Sequence, residues 1–155
     1  MPDYRTTMFT FLMVDEGTNS TPDWNKVGDI KDYPEVLAAR SGVEFTTLSH
    51  GSRVYRPGLR DTPDNLPFTL NYEPAVVERL QDLEGKEMKY AIWFGGTPGA
   101  TIDDEATPTG EDGKIEVLGV GSLSVPGKGI NDPTELQFSI MPSADPVLDA
   151  SGTSL

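Results

Sequence analysis

The stretch Phe68-Thr69-Leu70-Asn71-Tyr72-Glu73-Pro74-Ala75-Val76-Val77-Glu78-Arg79-Leu80-Gln81-Asp82-Leu83-Glu84-Gly85-Lys86-Glu87-Met88-Lys89-Tyr90-Ala91-Ile92-Trp93-Phe94 reads as a strand, a helix and a second strand. Phe68, Leu70 and Tyr72 alternate with Thr69 and Asn71, the period of an extended chain with one face on a core. At Pro74 the period changes. Val76, Leu80 and Leu83 fall on one helical stripe, while Glu78, Arg79 and Asp82 face elsewhere. Pro74 suits the first helical position, where an N–H would have no intrahelical partner, and Gly85 can end the helix in the left-handed conformation. A helix is therefore expected over about residues 74–84. Met88–Phe94 follows as the strongest strand of the chain, and Gly95-Gly96-Thr97-Pro98-Gly99 stops it.

Outward from this segment the pattern stays extended. Met8–Val14, Val43–Leu48, Lys114–Ser124 and Glu135–Met141 read as strands, the last with Leu136, Phe138 and Ile140 facing inward. The acidic, Gly/Pro/Thr-rich stretch Thr101–Gly113 reads as a loop or hairpin tip. Ser49–Pro67 reads as a long irregular loop between strands. A loop of that length with few apolar residues is expected to take its order from a partner. Pro142–Leu155, small and polar without period, reads as a C-terminal arm. There is no repeat and no linker, so a single domain over 1–155 is expected, with its core in 1–141. The fold class is mainly β: an antiparallel β-sandwich or open barrel with one flanking helix.

Composition supports this. Gly and Pro supply 29 of 155 residues, which favours turns and short strands over long helices. Cysteine is absent, which excludes disulfides, thiolate nucleophiles and cysteine-ligated metals. The apolar run at Met8–Val14 is too short for a signal sequence, and no stretch approaches a membrane span, so a soluble protein made and kept in the cytosol is expected. The net charge is −13, of which residues 72–155 carry −10, with 15 acids and 5 bases. Such a chain is not expected to grip nucleic-acid phosphates.

The motifs that resemble catalytic or ligand sites fail on inspection. The single histidine, His50, lies in Ser49-His50-Gly51-Ser52 with no Gly-x-Ser-x-Gly elbow, and reads as a solvated bystander. Gly121–Gly129 has five residues between its first two glycines and Gly129 after Lys128, where a phosphate loop needs four and a Ser or Thr. Glu105–Glu116 places Gly110 sixth and Glu116 twelfth, as a calcium loop does, but Thr107 and Thr109 replace the carboxylates it needs. The Asn19-Ser20-Thr21 sequon is read as chance. No catalytic residue, metal site or cofactor is expected, and the chain is not expected to be an enzyme.

Three runs in the middle of the chain carry a resemblance. They are Val43-Glu44-Phe45-Thr46-Thr47-Leu48, Arg53-Val54-Tyr55-Arg56-Pro57-Gly58-Leu59-Arg60-Asp61 and Leu66-Pro67-Phe68-Thr69-Leu70-Asn71-Tyr72, preceded by Trp24-Asn25-Lys26-Val27-Gly28-Asp29-Ile30. Their order and spacing over roughly residues 24–94 resemble the major tail tube proteins of long-tailed, non-contractile bacteriophages. The resemblance implies a β-sandwich with a flanking helix. It further implies a virion subunit, assembled in the host cytoplasm, forming hexameric rings stacked into a tube around a tape-measure protein. A tail terminator and distal tail proteins would be its other partners, and DNA would pass through without specific binding. Ser49–Pro67 maps onto the loop that reaches a neighbouring ring in that family, with Arg53, Val54, Tyr55, Arg56, Leu59 and Arg60 as its contact residues. Pro142–Leu155 maps onto the arm that bridges subunits, with Val147, Leu148 and Leu155. Two other readings stay open: a related ring-former, such as a tail terminator or a secretion-system tube subunit, and a monomeric β-sandwich binding module. The last needs an aromatic platform, and Tyr90 and Trp93 lie on opposite faces of their strand.

Overall fold

The computed structural model describes residues 9–18, 20–37, 39–60, 63–101, 105–127 and 129–149. Their antiparallel strands are β1 (Thr10–Asp15), β2 (Trp24–Gly28), β3 (Ile30–Asp32), β4 (Arg40–Glu44), β5 (Tyr55–Arg60), β6 (Leu66–Asn71), β7 (Glu87–Thr97), β8 (Thr107–Ser124), β9 (Glu135–Pro142) and β10 (Val147–Asp149), with one helix, α1 (Pro74–Leu83), between β6 and β7. Eight strands form one sheet in the order β2-β1-β7-β8-β9-β6-β3, with β10 added to β8, while β4 and β5 form a separate two-stranded ribbon. The fold is mainly β and antiparallel with one helix, as the periodicities require.

The sheet order has a geometric consequence. Its two outermost strands, β2 and β3, are consecutive in the chain and separated only by Asp29. A sheet whose first and last strands share one turn of chain must curl round on itself, into an open barrel. Leu12, Val14, Val27, Leu66, Phe68, Leu70, Tyr90, Ile92, Val117, Leu136, Phe138 and Ile140 fill its inside. The alternation seen in β6 and β9 is thus that of strands with one face on the core. β1 differs: Phe11, Leu12, Met13 and Val14 are all buried, so its unbroken apolar run reflects cover on both faces.

The helix lies against β2 and β8. Leu80 and Leu83 are buried in the core and Val76 packs on it. Gly28 permits this approach, because a Cβ there would stand 3.0 Å from Leu70 and 3.1 Å from Val76. Arg79 forms an ion pair with Glu16, tying the helix to the end of β1. Gly85 follows the helix at φ 77, as expected, but its N–H turns away from the helix to the Gly121 carbonyl, 3.1 Å away. Gly121 in turn accommodates the Phe138 ring, which a side chain at 121 would meet.

Three expectations need correction, and one segment that carried none finds its place. Trp24–Asp32, unassigned by pattern, forms the two closing strands. Of Thr101–Gly113, expected to be a loop or hairpin tip, residues 107–113 belong to β8, whose register against β7 shifts between Phe94 and Gly96. Positive φ at Gly95, Gly110 and Gly113 makes that irregularity possible. The irregular loop Ser49–Pro67 contains β5, paired with β4, so Val43–Leu48 contributes to a ribbon and not to the barrel. Finally, the arm 142–155 is not free of the body at its start. β10 continues the line of β9 along β8, pairing Val147 with Glu116 and Leu148 with Ile115.

Candidate assembly surfaces

The ribbon of β4 and β5 is the feature that the body least explains. Among the described residues its strands pack chiefly on each other, and an isolated two-stranded hairpin is marginal in water. Yet it exposes Val43, Phe45, Leu48, Tyr55 and Leu59, with Leu59 87% and Leu48 fully open to solvent. Glu44 faces Tyr55, Val43 faces Arg56 and Gly42 faces Pro57; the register then shifts, so that Arg40 faces Arg60. Gly58 leaves room for Val43 across the ribbon, 3.0 Å from where its Cβ would be. Tyr55 lies over Gly42, at 3.8 Å from the corresponding position.

Of the residues singled out from the sequence, the structure places Arg53, Val54, Tyr55, Arg56, Leu59 and Arg60 together on this ribbon, in β5 and the turn before it. Val54 is half-buried and closes the turn: its carbonyl accepts from the Phe45 N–H at 2.8 Å, and its own N–H donates to Thr46 Oγ1 at 2.9 Å. Arg53 stands 4.0 Å from Glu44, both exposed, a pair of little energetic weight. Pattern reading missed Arg40, Val43, Phe45 and Leu48, whose strand period resembles that of a core strand. From 40 to 60 the chain holds four arginines and one glutamate, a net of +3. Since the whole carries −13, the remainder carries −16. The ribbon is therefore a basic, apolar element on an acidic body.

A second surface lies at β10. Val147 and Leu148 are consecutive, so they point to opposite faces of the strand, and both are about half exposed. Each face of β10 is thus only partly covered, and its outer edge has no paired strand among the described residues. Leu155 lies outside the described residues.

The ionic contacts elsewhere serve the fold. Lys26 Nζ is 2.5 Å from Asp29 and 2.8 Å from Glu105, and stands 5.6 Å from the Phe11 ring centre. Burial alone would lower the Lys26 pKa, but hydrogen bonds and charge from Asp29 and Glu105 outweigh it and raise it. Burial likewise opposes ionisation of Asp29, yet the hydrogen bond and positive charge of Lys26 hold its pKa below the ordinary value. Lys114 lies over the Trp93 ring at 4.1 Å, and Trp93 tilts against Trp24 at 5.9 Å. No group of three His, Cys, Asp or Glu side chains suited to a metal occurs among the described residues. No helix there is long and apolar enough to cross a membrane.

No protein-family model matches the chain, and no curated protein matches it. Among solved structures it is similar to a chain from the tail of an empty GTA particle with C6 symmetry, at a TM-score of 0.61 and 12% identity, over 95% of this chain and 100% of that one. It is a likeness of fold.

Proposed function

We propose that the chain is a virion structural subunit whose copies form hexameric rings stacked into a tail tube, a conduit for genome delivery. It acts by assembly and not by chemistry. The observation that carries the reading is the ribbon: a basic, apolar, two-stranded element that its own body does not support, projecting from an acidic barrel. A second copy supplies what it lacks, an acidic surface to meet Arg53, Arg56 and Arg60 and apolar cover for Tyr55 and Leu59. The fold shared with a chain of a C6-symmetric particle tail supports the same reading and its sixfold ring. The acidity fits a conduit, since a negative wall repels DNA phosphates and leaves no sticking points. β10, half exposed on both faces, is the contact between neighbours within or between rings. A tape-measure protein, a terminator and distal tail proteins complete the expected partners.

The test is electron microscopy of the purified protein at high concentration, beside a variant with Arg53, Arg56 and Arg60 all changed to Glu. The wild type is expected to give sixfold rings and stacked tubes. The variant is expected to melt as the wild type does and to stop at short stacks or single rings. A wild type that forms only single rings would favour the terminator-like reading, and one that stays monomeric would favour a binding module. Long tubes from the triple variant at low salt would transfer the contact to Val54, Tyr55 and Leu59.

A further inference from the structure

The ribbon's tip is more ordered than a spacer between two strands needs to be. Residues 46–53 are all exposed, so no core holds them. Their order comes from a local network centred on His50. The His50 N–H donates to the Thr47 carbonyl at 3.0 Å, and the Thr47 N–H donates back to His50 Nδ1 at 2.9 Å. The Thr47 hydroxyl lies 2.9 Å from both His50 Nδ1 and Ser49 Oγ. These bonds close a tight turn over 47–50, and the residue carried at its outside is Leu48, with no part of its side chain shielded. A leucine held in full solvent by a rigid turn gains nothing for its own fold.

We infer that Leu48 is the anchor by which the ribbon docks on a second copy of this chain, and that His50 is the positioning residue that holds it out. This rests on the assembly reading above and narrows it to two side chains. The occupant is a second copy because the tip sits on a segment of net +3, whereas the rest of the same chain carries −16. That charge difference draws ribbon to body between copies. Apolar anchors at the centre of such contacts carry most of the binding energy, and polar neighbours fix orientation. Pre-organising the turn removes ordering entropy that would otherwise oppose docking. His50 thereby has a role that its reading as a bystander denied it.

Three variants test this: Leu48→Ala, His50→Ala and His50→Asn. The asparagine oxygen stands the same number of bonds from the backbone as Nδ1, so it can accept the Thr47 N–H and keep the turn. The critical concentration for assembly is read by light scattering and microscopy, with thermal melting as a control for the body. Leu48→Ala is expected to raise it about tenfold or more, as truncation of an interface anchor does. His50→Ala is expected to raise it roughly three- to tenfold, the equivalent of one net hydrogen bond. His50→Asn should stay near wild type, and melting should be unchanged in all three. Wild-type assembly by both alanine variants would overturn the inference and leave the ribbon reading standing. Equal loss in His50→Asn and His50→Ala would overturn the positioning role. A wild type that never assembles would overturn both the inference and the reading beneath it.

Discussion

Tyr90 sits in the barrel at 1% exposure, its ring 5.7 Å from that of Phe138 and its hydroxyl buried with no hydrogen-bond partner among the described residues. An unsatisfied buried hydroxyl opposes folding by roughly 1–3 kcal/mol, so Tyr90→Phe is expected to leave stability unchanged or raise it by about 1 kcal/mol. Burial also pushes the Tyr90 phenol up to about 12. In the unfolded chain it ionises near its ordinary value of about 10. Between those values the unfolded state has released a proton that the folded state retains, so stability is intact below pH 10 and falls as pH rises towards 12. The loss reaches about 2–3 kcal/mol across that window. Urea titrations between pH 7 and 11 should show this decline in the wild type and not in Tyr90→Phe. An identical alkaline slope in both proteins would mean that other groups produce it.

At the scale of elements, β10 separates what extends a sheet from what bridges copies. Its three residues pair with Lys114, Ile115 and Glu116 and cap the exposed flank of β8. Truncation after Pro142 removes those hydrogen bonds, each worth roughly 0.5–1.5 kcal/mol net. A loss of about 1–3 kcal/mol in body stability is therefore expected, together with impaired polymerisation. The bared edge of β8 should also promote irregular association, which an added strand normally blocks. Urea unfolding and scattering of the truncated protein check both effects. Unchanged stability would confine the 142–155 segment to contacts between subunits.

At the scale of the whole molecule, the barrel closes at one residue. Asp29 is the only link between β2 and β3, and Lys26 holds it on one side while Glu105 holds Lys26 from the β7–β8 connection. Because the folded Asp29 pKa lies below its ordinary value, the pair's contribution is present above the unfolded pKa. It is lost as pH falls through the folded one. Asp29 is 39% exposed on its side chain, so solvent screening limits the effect to under about 1 kcal/mol. Asp29→Asn should thus be slightly less stable than wild type at pH 7 and converge with it towards pH 3. Stability curves that stay parallel down to pH 3 would show that the ion pair does not brace the closure.

The hydrophobic periods in the sequence determined β6, α1 and β9 with their inward faces, except that Tyr72, expected beside Phe68 and Leu70, lies past the end of β6 and is exposed. They determined β7 as a strand but not its faces, since Tyr90, Ala91 and Ile92 are all buried. They also determined that the chain is mainly β. Trp24–Asp32 was not legible as two strands, since each is short and the break at Asp29 is set by where the curling sheet meets itself. Val43–Leu48 was legible as extended but not as exposed. A strand's period records which side chains share a face, and nothing in it records what covers that face. Only the tertiary structure could place Val43, Phe45 and Leu48 exposed on a ribbon, and bring Arg40 to the same ribbon as Arg53 and Arg56. The same holds for His50, whose turn depends on bonds to Thr47 that no pattern encodes. Local periodicity decides which elements form; the cover on each face comes from contacts distant in sequence.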